Sequence, residues 1–503
     1  MKKRILALFL ALLTVSGTLA SCSESGTNPE EKATAESGTP AAEETEVPAE
    51  AAEEDLSSAE QRQRIPDNLP EADFGGREFT ACVEERKKFE ILSEELTGEA
   101  TNDSVYDRNL RIEDRFNVSI KMVENAAPQN DVVTNVTSGT YAYDLCGFNN
   151  FQTYTPVSAG VLYNWCEIPN VDLTQPWHNK LANDTATING KLYGINSDIS
   201  ISTLLYTYGM FFNYAIMERY GYTSNDLYNI VFEGNWTVDK VKEIAGGIYE
   251  DTNGDGKHDK DDIHGYVVSS SQVNTHDVWL AALDLPLMDI RSVDDYEVTF
   301  FCEKTVSALE KVISLYHDTE GSFMEPSGDW RQVPTLFANG KIAMSQLYFG
   351  ETTESLTEME DTYGILPLPK FDETQEQYMT NAWDQFTVYA VPLTMTEADG
   401  PFVGTVYEAL CAESYKTVFP AYYDVMLKSR YSAEPATAQM IDMIMAGRKL
   451  EFSFQFGEKL SRLPYQFRDM VCAGETDAAS RYKKIQKSLD KVIGKTLEVY
   501  ADE

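Results

Sequence analysis

The sequence predicts an α/β protein of two lobes. Short apolar strands alternate with amphipathic helices from about residue 77, a rhythm typical of parallel βαβ units. About 430 residues follow an acidic N-terminal segment, too many for one core at the usual size of roughly 100–200 residues per domain.

The first βαβ unit is predicted at 77–123. REFTACV at 77–83 has the character of a strand, a helix begins at 102–104, and 117–123 alternates as the second strand. YDLCGF at 143–148 predicts a short buried strand. Because open α/β sheets bind ligands at the carboxyl ends of their strands, Asn149 and Asn150 are candidate ligand contacts.

The rest of the chain contains further extended and helical segments. Extended segments are predicted at 192–195, 207–214, 341–345, 364–369 and 386–391. Helices are predicted at 215–220 and from about 238, and the chain after 391 is expected to be mainly helical.

Residues 1–21 have the pattern of a lipoprotein signal. Residues 1–4 are basic, 5–15 are apolar, and small residues precede Cys22 in LASC. The apolar run is well short of the roughly 20 residues of a membrane-spanning helix. LASC resembles a bacterial lipobox, which implies that Cys22 is lipidated and holds the mature protein on the outer face of the cell membrane. An ordinary cleaved signal with a chance cysteine is the alternative.

Residues 22–73 are predicted to form a disordered acidic tether. Glu, Ala, Ser, Thr and Pro dominate this segment, and such a composition buries too little apolar surface to offset chain entropy. The whole chain has 81 acidic and 41 basic residues, a net charge of -40. This charge argues against nucleic acid and against adhesion to anionic lipid.

The cysteines after Cys22 are widely spaced and form no CxxC pair. Their spacing is unlike that of a zinc site. Disulfides in an oxidising compartment and isolated buried thiols are both compatible with the sequence.

Residues 251–262 match the beginning of an EF-hand calcium loop, D-x-[DN]-x-[DN]-G. Gly256 permits the sharp turn between ligands. The oxygens would come from Asp251, Asn253, Asp255, the carbonyl of Lys257, Asp259 and Asp262. Asp262 stands where a bidentate Glu is usual, so weaker coordination is expected there. The loop predicts a structural Ca²⁺ site, with an ion-free acidic turn as the alternative.

Several motifs in order resemble those of extracellular solute-binding proteins of the maltose-binding-like group. FANGKIAM at 337–344 is similar to that family's F-x-x-G-x-x-A-M segment, and YGILPLP follows at 363–369. NWT at 235–237 before a helix and YDL at 143–145 also fit. The resemblance covers nearly the whole mature chain from about Phe74.

The resemblance implies a type II, periplasmic-binding-protein-like fold with a hinge between two lobes. It places one lobe at about 74–208 and 342–390, and the other at about 209–341 and 391–503. It implies a monomer that closes around a carbohydrate, for which an oligosaccharide is favoured, and delivers it to the membrane subunits of an ABC importer. No catalytic group is required.

Ligand contacts are expected among aromatic and polar residues near the hinge. Aromatic faces stack on pyranose rings, while Asp and Asn bond the hydroxyls. The candidates are Trp279, Trp383, Asp384, Tyr348 and Trp177, together with Asn149 and Asn150. For each tryptophan, core or inter-lobe packing is the alternative, and for Asn149 and Asn150 the alternative is a solvated turn.

Other functions are compatible with parts of the sequence. A ligand-sensing lipoprotein would have the same fold, and a peptide or another polar solute could replace the sugar. A glycosidase needs paired carboxylates, which in so acidic a chain arise by chance. G-x-S-x-G, H-E-x-x-H and P-loop patterns do not occur, so an enzyme is not predicted.

Overall fold

The computed structural model describes residues 58–270, 273–423, 435–457 and 459–501. By their contacts, all the described residues belong to one compact unit. The predicted signal and Cys22 lie outside the described residues.

Strands and helices alternate along this unit. The β-strands are β1 (Arg77–Val83), β2 (Val118–Glu124), β3 (Leu145–Asn149), β4 (Tyr208–Asn213), β5 (Tyr249–Glu250), β6 (Ile263–Ser269), β7 (Met288–Ile290), β8 (Tyr296–Val298), β9 (Ser322–Glu325), β10 (Ile342–Tyr348), β11 (Tyr363–Leu366) and β12 (Thr387–Ala390). The α-helices are α1 (Ser58–Gln63), α2 (Lys88–Ile91), α3 (Ala100–Phe116), α4 (Pro128–Thr137), α5 (Tyr154–Ser158), α6 (Lys180–Ala186), α7 (Ile201–Leu205), α8 (Tyr214–Arg219), α9 (Ser224–Phe232), α10 (Val238–Gly246), α11 (Val273–Ala282), α12 (Glu303–His317), α13 (Gln332–Ala338), α14 (Gly400–Glu413), α15 (Pro435–Ala446), α16 (Gln466–Ala473) and α17 (Ala478–Leu497).

The first sheet has the strand order β12-β3-β1-β2. β1 pairs in parallel with β2 and β3, whereas β12 runs antiparallel to β3. Between β1 and β2, the Glu99 carboxylate accepts hydrogen bonds from the first turn of α3, and this helix ends at Asn117 with a left-handed φ of 49°. The βαβ unit predicted at 77–123 is confirmed.

The second sheet has the order β11-β4-β10-β6-β5, and β9 also pairs with β6. β4 is antiparallel to β10 and β11, while β6 is parallel to β10 and β9. β4, β6 and β10 are buried along their whole length, as expected for central strands covered on both faces. At Gly265 in β6, a Cβ would lie 2.3 Å from the Ala245 carbonyl oxygen, so glycine lets α10 approach the sheet closely.

The predicted lobe division is wrong for 342–366. β10 and β11 both pair with β4 in the second sheet, and within 342–390 only β12 joins the first. The reason lies in long-range pairing: β10 bonds to β4 from Met344 opposite Phe212 to Tyr348 opposite Tyr208. No local sequence pattern specifies that partner.

The segment 391–503, predicted to lie in one lobe, contributes to both. α14 packs against α3 beside the first sheet, and the Phe402 ring lies 6.0 Å from that of Phe79. α15 packs against β11, and α16 packs against α11 and α12, beside the second sheet. After α17 the chain returns to the first lobe, where the Tyr193 hydroxyl donates to the Val499 carbonyl at 3.1 Å.

The folded unit also begins before the predicted boundary at Phe74. Gln63 donates to the Lys416 carbonyl at 2.7 Å, the Arg62 guanidinium lies 4.4 Å from the Tyr415 ring centroid, and Asp67 forms an ion pair with Arg115. Residues 58–73 therefore belong to the folded unit. Composition predicted a tether here because it carries no information about these distant partners.

Two further findings concern the sequence predictions. Among the described residues, no helix has both the length and the apolar character needed to cross a membrane. Cys82, Cys146, Cys166, Cys302, Cys411 and Cys472 are free thiols, which answers the question that their spacing left open.

Candidate functional site

Two chain crossings connect the sheets side by side. The chain enters β4 through Tyr206 and Thr207, and it returns to β12 through 380–386. The Trp383 amide donates to the Tyr206 carbonyl at 2.9 Å, and the Tyr208 amide donates to the Asn381 carbonyl at 3.2 Å. We call the region around these two crossings the junction.

Strand ends from both sheets meet at the junction. Lys87, four residues after β1, donates to the Gln385 carbonyl at 2.6 Å. The Asn150 amide, directly after β3, donates to the Phe386 carbonyl at 2.9 Å. Tyr348 is the last residue of β10. The carboxyl ends of strands are where open α/β sheets bind ligands.

An aromatic cluster, formed by Tyr206, Tyr348 and Trp383, lies at the junction. The ring centroids are 5.1 Å apart for Tyr206 and Trp383, 5.7 Å for Tyr206 and Tyr348, and 6.0 Å for Tyr348 and Trp383. Tyr206 and Trp383 are half-buried, whereas Tyr348 is buried. The Lys87 ammonium lies 4.4 Å from the Tyr206 ring centroid, and its burial lowers its pKa to about 8.

Carboxylates from three parts of the chain surround the cluster. Glu351, three residues after β10, is 1% exposed, and its burial raises its pKa to about 7. Asp277 on α11 accepts a hydrogen bond from Arg468 at 2.8 Å, and burial raises the pKa of Asp277. Asp384 accepts a hydrogen bond from the Tyr465 hydroxyl at 3.0 Å.

Sequence reasoning found part of this site. Trp383, Asp384 and Tyr348 are brought together as neighbours of one junction. Glu351 was missed, although it follows the carboxyl end of β10 and the strand-end rule could have nominated it. Tyr206 was also missed; it precedes β4, where that rule does not apply. Tyr465 and Arg468 come from the C-terminal segment, and no sequence signal connects them to the junction.

Two of the nominated tryptophans do not reach it. Trp279 is 0% exposed and donates to the Tyr316 hydroxyl at 2.7 Å; Trp177 is 0% exposed and donates to Glu408 at 2.9 Å. Both rings are core residues, so we exclude them from the candidate site.

Asn149 and Asn150 lie near the junction but are buried. Asn149 donates to the Glu84 carboxylate at 2.9 Å, and the Asn150 amide is bonded to the second crossing, as described above. Their observed role is to support the loops that follow β1 and β3.

The acidic loop 251–262 folds on its own backbone. Asp251 accepts hydrogen bonds from the amides of Gly254 and Gly256, and the Gly256 amide lowers its pKa. Asp255 pairs with the Lys257 ammonium at 2.5 Å. In the part of the chain that the structure describes, no group of three His, Cys, Asp or Glu residues is arranged to hold a metal ion.

Asp262 differs from the other loop carboxylates because it is fully buried. It accepts hydrogen bonds from the Tyr249 hydroxyl at 3.1 Å and from the amides of Thr252 and Asp259. The oxygen donors suit calcium chemically. In this conformation, however, they are bonded to the protein itself.

A surface cavity of about 850 Å³ lies away from the aromatic cluster. The end of α5 and the chain after α17 form part of its walls. Residues from other segments complete them, among them Tyr163, Lys191, Tyr193 and Leu393. The junction, not this cavity, is where strand ends, rings and buried carboxylates coincide.

The two sheets and the junction that connects them define a two-lobe α/β fold. No family model matches the chain, and no curated protein is similar in sequence. Solved structures with the same fold are numerous, and they include ABC solute- or substrate-binding proteins and a cyclo/maltodextrin-binding protein.

Three of these structures illustrate the similarity. A cyclic α-maltosyl-1,6-maltose binding protein from Arthrobacter globiformis has a TM-score of 0.56 at 14% identity, over 84% of this chain and 100% of that one. An ABC transporter solute-binding protein from Thermotoga lettingae, bound with α-D-tagatose, has a TM-score of 0.53 at 15% identity, over 83% and 100%. UgpB from Mycobacterium tuberculosis, in complex with glycerophosphocholine, has a TM-score of 0.52 at 14% identity, over 83% and 98%. These similarities confirm the predicted type II fold.

Proposed function

We propose that this protein is the extracytoplasmic solute-binding component of an ABC importer and captures a carbohydrate by closure of its lobes. The observation that carries the proposal is the aromatic cluster, set between strand ends of both sheets. Half-buried Trp383 and Tyr206 offer ring faces for the apolar side of a sugar. Asp384 beside them offers carboxylate oxygens for hydroxyl groups.

The two crossings suit a hinge. They are short, adjacent and bonded to each other, so small backbone rotations there would separate the residues contributed by the two sheets. Closure around a solute is the signal that a membrane transporter can recognise. Similar proteins bind maltodextrins and other small sugars, which supports a carbohydrate for this chain.

We further propose that the mature protein is a monomer anchored by lipid at Cys22. The support is the signal pattern and LASC sequence at 1–22. Metabolic labelling with a fatty-acid analogue should mark the wild-type protein and not Cys22→Ala. Equal labelling of both proteins would remove the anchor from the proposal.

The test of the binding function is a thermal-shift screen of the mature chain, carrying Cys22→Ala, against oligosaccharides, peptides and amino acids. A ligand that binds only the native state raises the melting temperature by mass action. Trp383→Ala is expected to weaken binding of the best saccharide at least tenfold, about 1.4 kcal/mol.

Phe232→Ala is the matched control because Phe232 is an exposed aromatic residue, on α9. It should leave affinity unchanged. A screen in which only peptides bind would replace the carbohydrate with a peptide. Wild-type affinity in Trp383→Ala would move the site away from the junction.

A further inference from the structure

One carboxylate at the junction is buried without full hydrogen bonding. Glu351 Oε2 has no hydrogen-bond partner among the described residues, although the side chain is only 1% exposed. An unpaired buried carboxylate oxygen is costly. Its neighbour Glu354 accepts a hydrogen bond from the Tyr348 hydroxyl at 3.2 Å, so a second negative charge lies beside the same ring.

Two more unpaired acceptors belong to Asp277 and Asn381, which are neighbours because the Asn381 side-chain amide donates to the Asp277 carbonyl at 3.5 Å. Asp277 Oδ1 and Asn381 Oδ1 are buried and also have no hydrogen-bond partner in the described part of the chain. Both are close to Tyr208, whose amide donates to the Asn381 carbonyl and whose ring lies 6.0 Å from that of Tyr348. The amide oxygen of Asn381 and, in their ionised forms, the carboxylate oxygens of Glu351 and Asp277 accept hydrogen bonds and do not donate them.

The nearby cations already have partners. Arg468 is paired with Asp277, Arg86 with Glu84 and Lys87 with the Gln385 carbonyl. Arg331, which acts on Glu351 only at long range, lies 4.4 Å from the Trp330 ring centroid. Arg468 Nε is itself a buried donor without a hydrogen-bond partner among the described residues, but its guanidinium charge is already paired with Asp277. At Glu351 the unmet requirement is therefore for a hydrogen-bond donor and positive charge.

We propose that the captured saccharide carries a protonated primary amine, which is held by Glu351 beside the Tyr348 and Tyr208 rings. This inference rests on the proposed function. An ammonium group has three hydrogen-bond donors and no acceptor. It can therefore donate to Glu351 Oε2 and requires no hydrogen bond from a protein donor in return. A hydroxyl group also accepts, adds no charge and leaves the carboxylate uncompensated.

The aromatic rings favour the same ligand. A cation over the face of a tyrosine or tryptophan ring is attracted by the ring quadrupole, and the attraction grows when water is excluded. The chain's net charge of -40 would also draw cations toward the protein before binding.

The test compares saccharides that differ only in the amine. Isothermal titration at pH 7 would use tri-glucosamine, its fully N-acetylated counterpart and maltotriose. Spermidine would show whether an amine without a sugar is sufficient. We expect tri-glucosamine to bind at least tenfold more tightly than the N-acetylated form, and spermidine to bind more weakly than tri-glucosamine.

Glu351→Gln should remove this preference, so that the ratio of the two dissociation constants, tri-glucosamine against its N-acetylated counterpart, falls to about 1. Glu358→Gln, an exposed glutamate on the same connection, is the charge-matched control and should keep the preference. The comparison within the wild-type protein does not depend on either variant folding.

If the neutral saccharides bind as tightly as tri-glucosamine or more tightly, the proposal that the ligand carries an amine is wrong, while the proposed carbohydrate-binding function is retained. If spermidine binds as tightly as tri-glucosamine, the proposal that the amine is part of a saccharide is wrong. A protein that binds no saccharide at all, charged or neutral, would overturn the proposed function as well.

Discussion

The carboxylates of the junction and those of the 251–262 loop have the same chemistry but different surroundings. Most loop carboxylates are at the surface, and Asp251 accepts hydrogen bonds from backbone amides of its own turn. At the junction, Glu351 and Asp277 are buried by residues distant in sequence, and each keeps one oxygen without a partner. Burial and the supply of hydrogen-bond donors, not acidity, therefore determine what a carboxylate does in this protein.

The difference appears in the directions of the pKa shifts. Amide donors lower the pKa of Asp251, because they stabilise its charged form. Burial raises the pKa of Glu351 to about 7, because few donors replace the lost water. A group that destabilises the folded state is expected where binding, not stability, has been selected.

The largest change in the free energy of unfolding is expected from Asp277→Ala at the junction. Removing this carboxylate leaves the buried Arg468 guanidinium with only its longer ion pair to Asp469, at 3.9 Å, which should cost about 3–5 kcal/mol of unfolding free energy. Urea denaturation followed by circular dichroism measures the loss.

The loop provides the control for that measurement. Asp255→Ala breaks the exposed pair with Lys257, and without calcium it should cost less than about 1 kcal/mol. Equal losses in the two variants would contradict the distinction between buried and exposed carboxylates.

Glu351→Gln is expected to raise the free energy of unfolding, by less than Asp277→Ala lowers it. Well below pH 4.5 the carboxyl is protonated in both the folded and unfolded states. As the pH rises through 4.5 the unfolded chain loses its proton first, so stability falls until about pH 7 and stays lower above it. The difference between the unfolded-state pKa of 4.5 and the folded-state pKa of about 7 corresponds to a loss of about 3 kcal/mol in the free energy of unfolding.

Glu351→Gln lacks this titration, so it should be more stable than the wild type at pH 8 and nearly equal to it at pH 4. Melting curves at both pH values, with Glu358→Gln in parallel, measure the difference. The same stabilisation at both pH values would show that the effect does not come from ionisation of Glu351.

The smallest change in stability is expected from calcium binding to the loop at 251–262. We propose that 251–262 binds Ca²⁺ as a structural ion, on the strength of its EF-hand-like spacing. With a dissociation constant of about 1 mM, as in extracellular modules, 10 mM calcium should stabilise the protein by about 1.4 kcal/mol.

Asp251→Asn combined with Asp255→Asn should abolish the calcium response in a thermal-shift assay. Asp294→Asn, an exposed aspartate in the β7–β8 turn, removes one charge elsewhere and should retain the response. A wild-type melting temperature that does not change with calcium would leave the loop as an acidic turn.

Much of the fold could be predicted from local sequence. The strands at 77–83, 117–123, 207–214 and 341–345 were found because their apolar residues alternate or run together between turn signals. The lobe assignment of 342–366 could not be predicted, since it depends on which strand lies beside β10.

The candidate site was predictable only where it follows local rules. Trp383 and Tyr348 were found because they are aromatic residues next to predicted strands. Trp279 and Trp177 met a similar description and are core residues, because burial by distant helices is invisible in a sequence.

The sequence by itself determined the strands, the spacing of the acidic loop, the signal pattern and the presence of aromatic residues near a hinge. Each depends on residues within about ten positions of one another, where backbone geometry links sequence to structure. Only the tertiary structure decided that Glu351, Asp277 and Tyr465 share one junction, and that one buried oxygen of Glu351 has no hydrogen-bond donor. Such facts arise from contacts between segments far apart in the chain, where packing, not local periodicity, sets the neighbours.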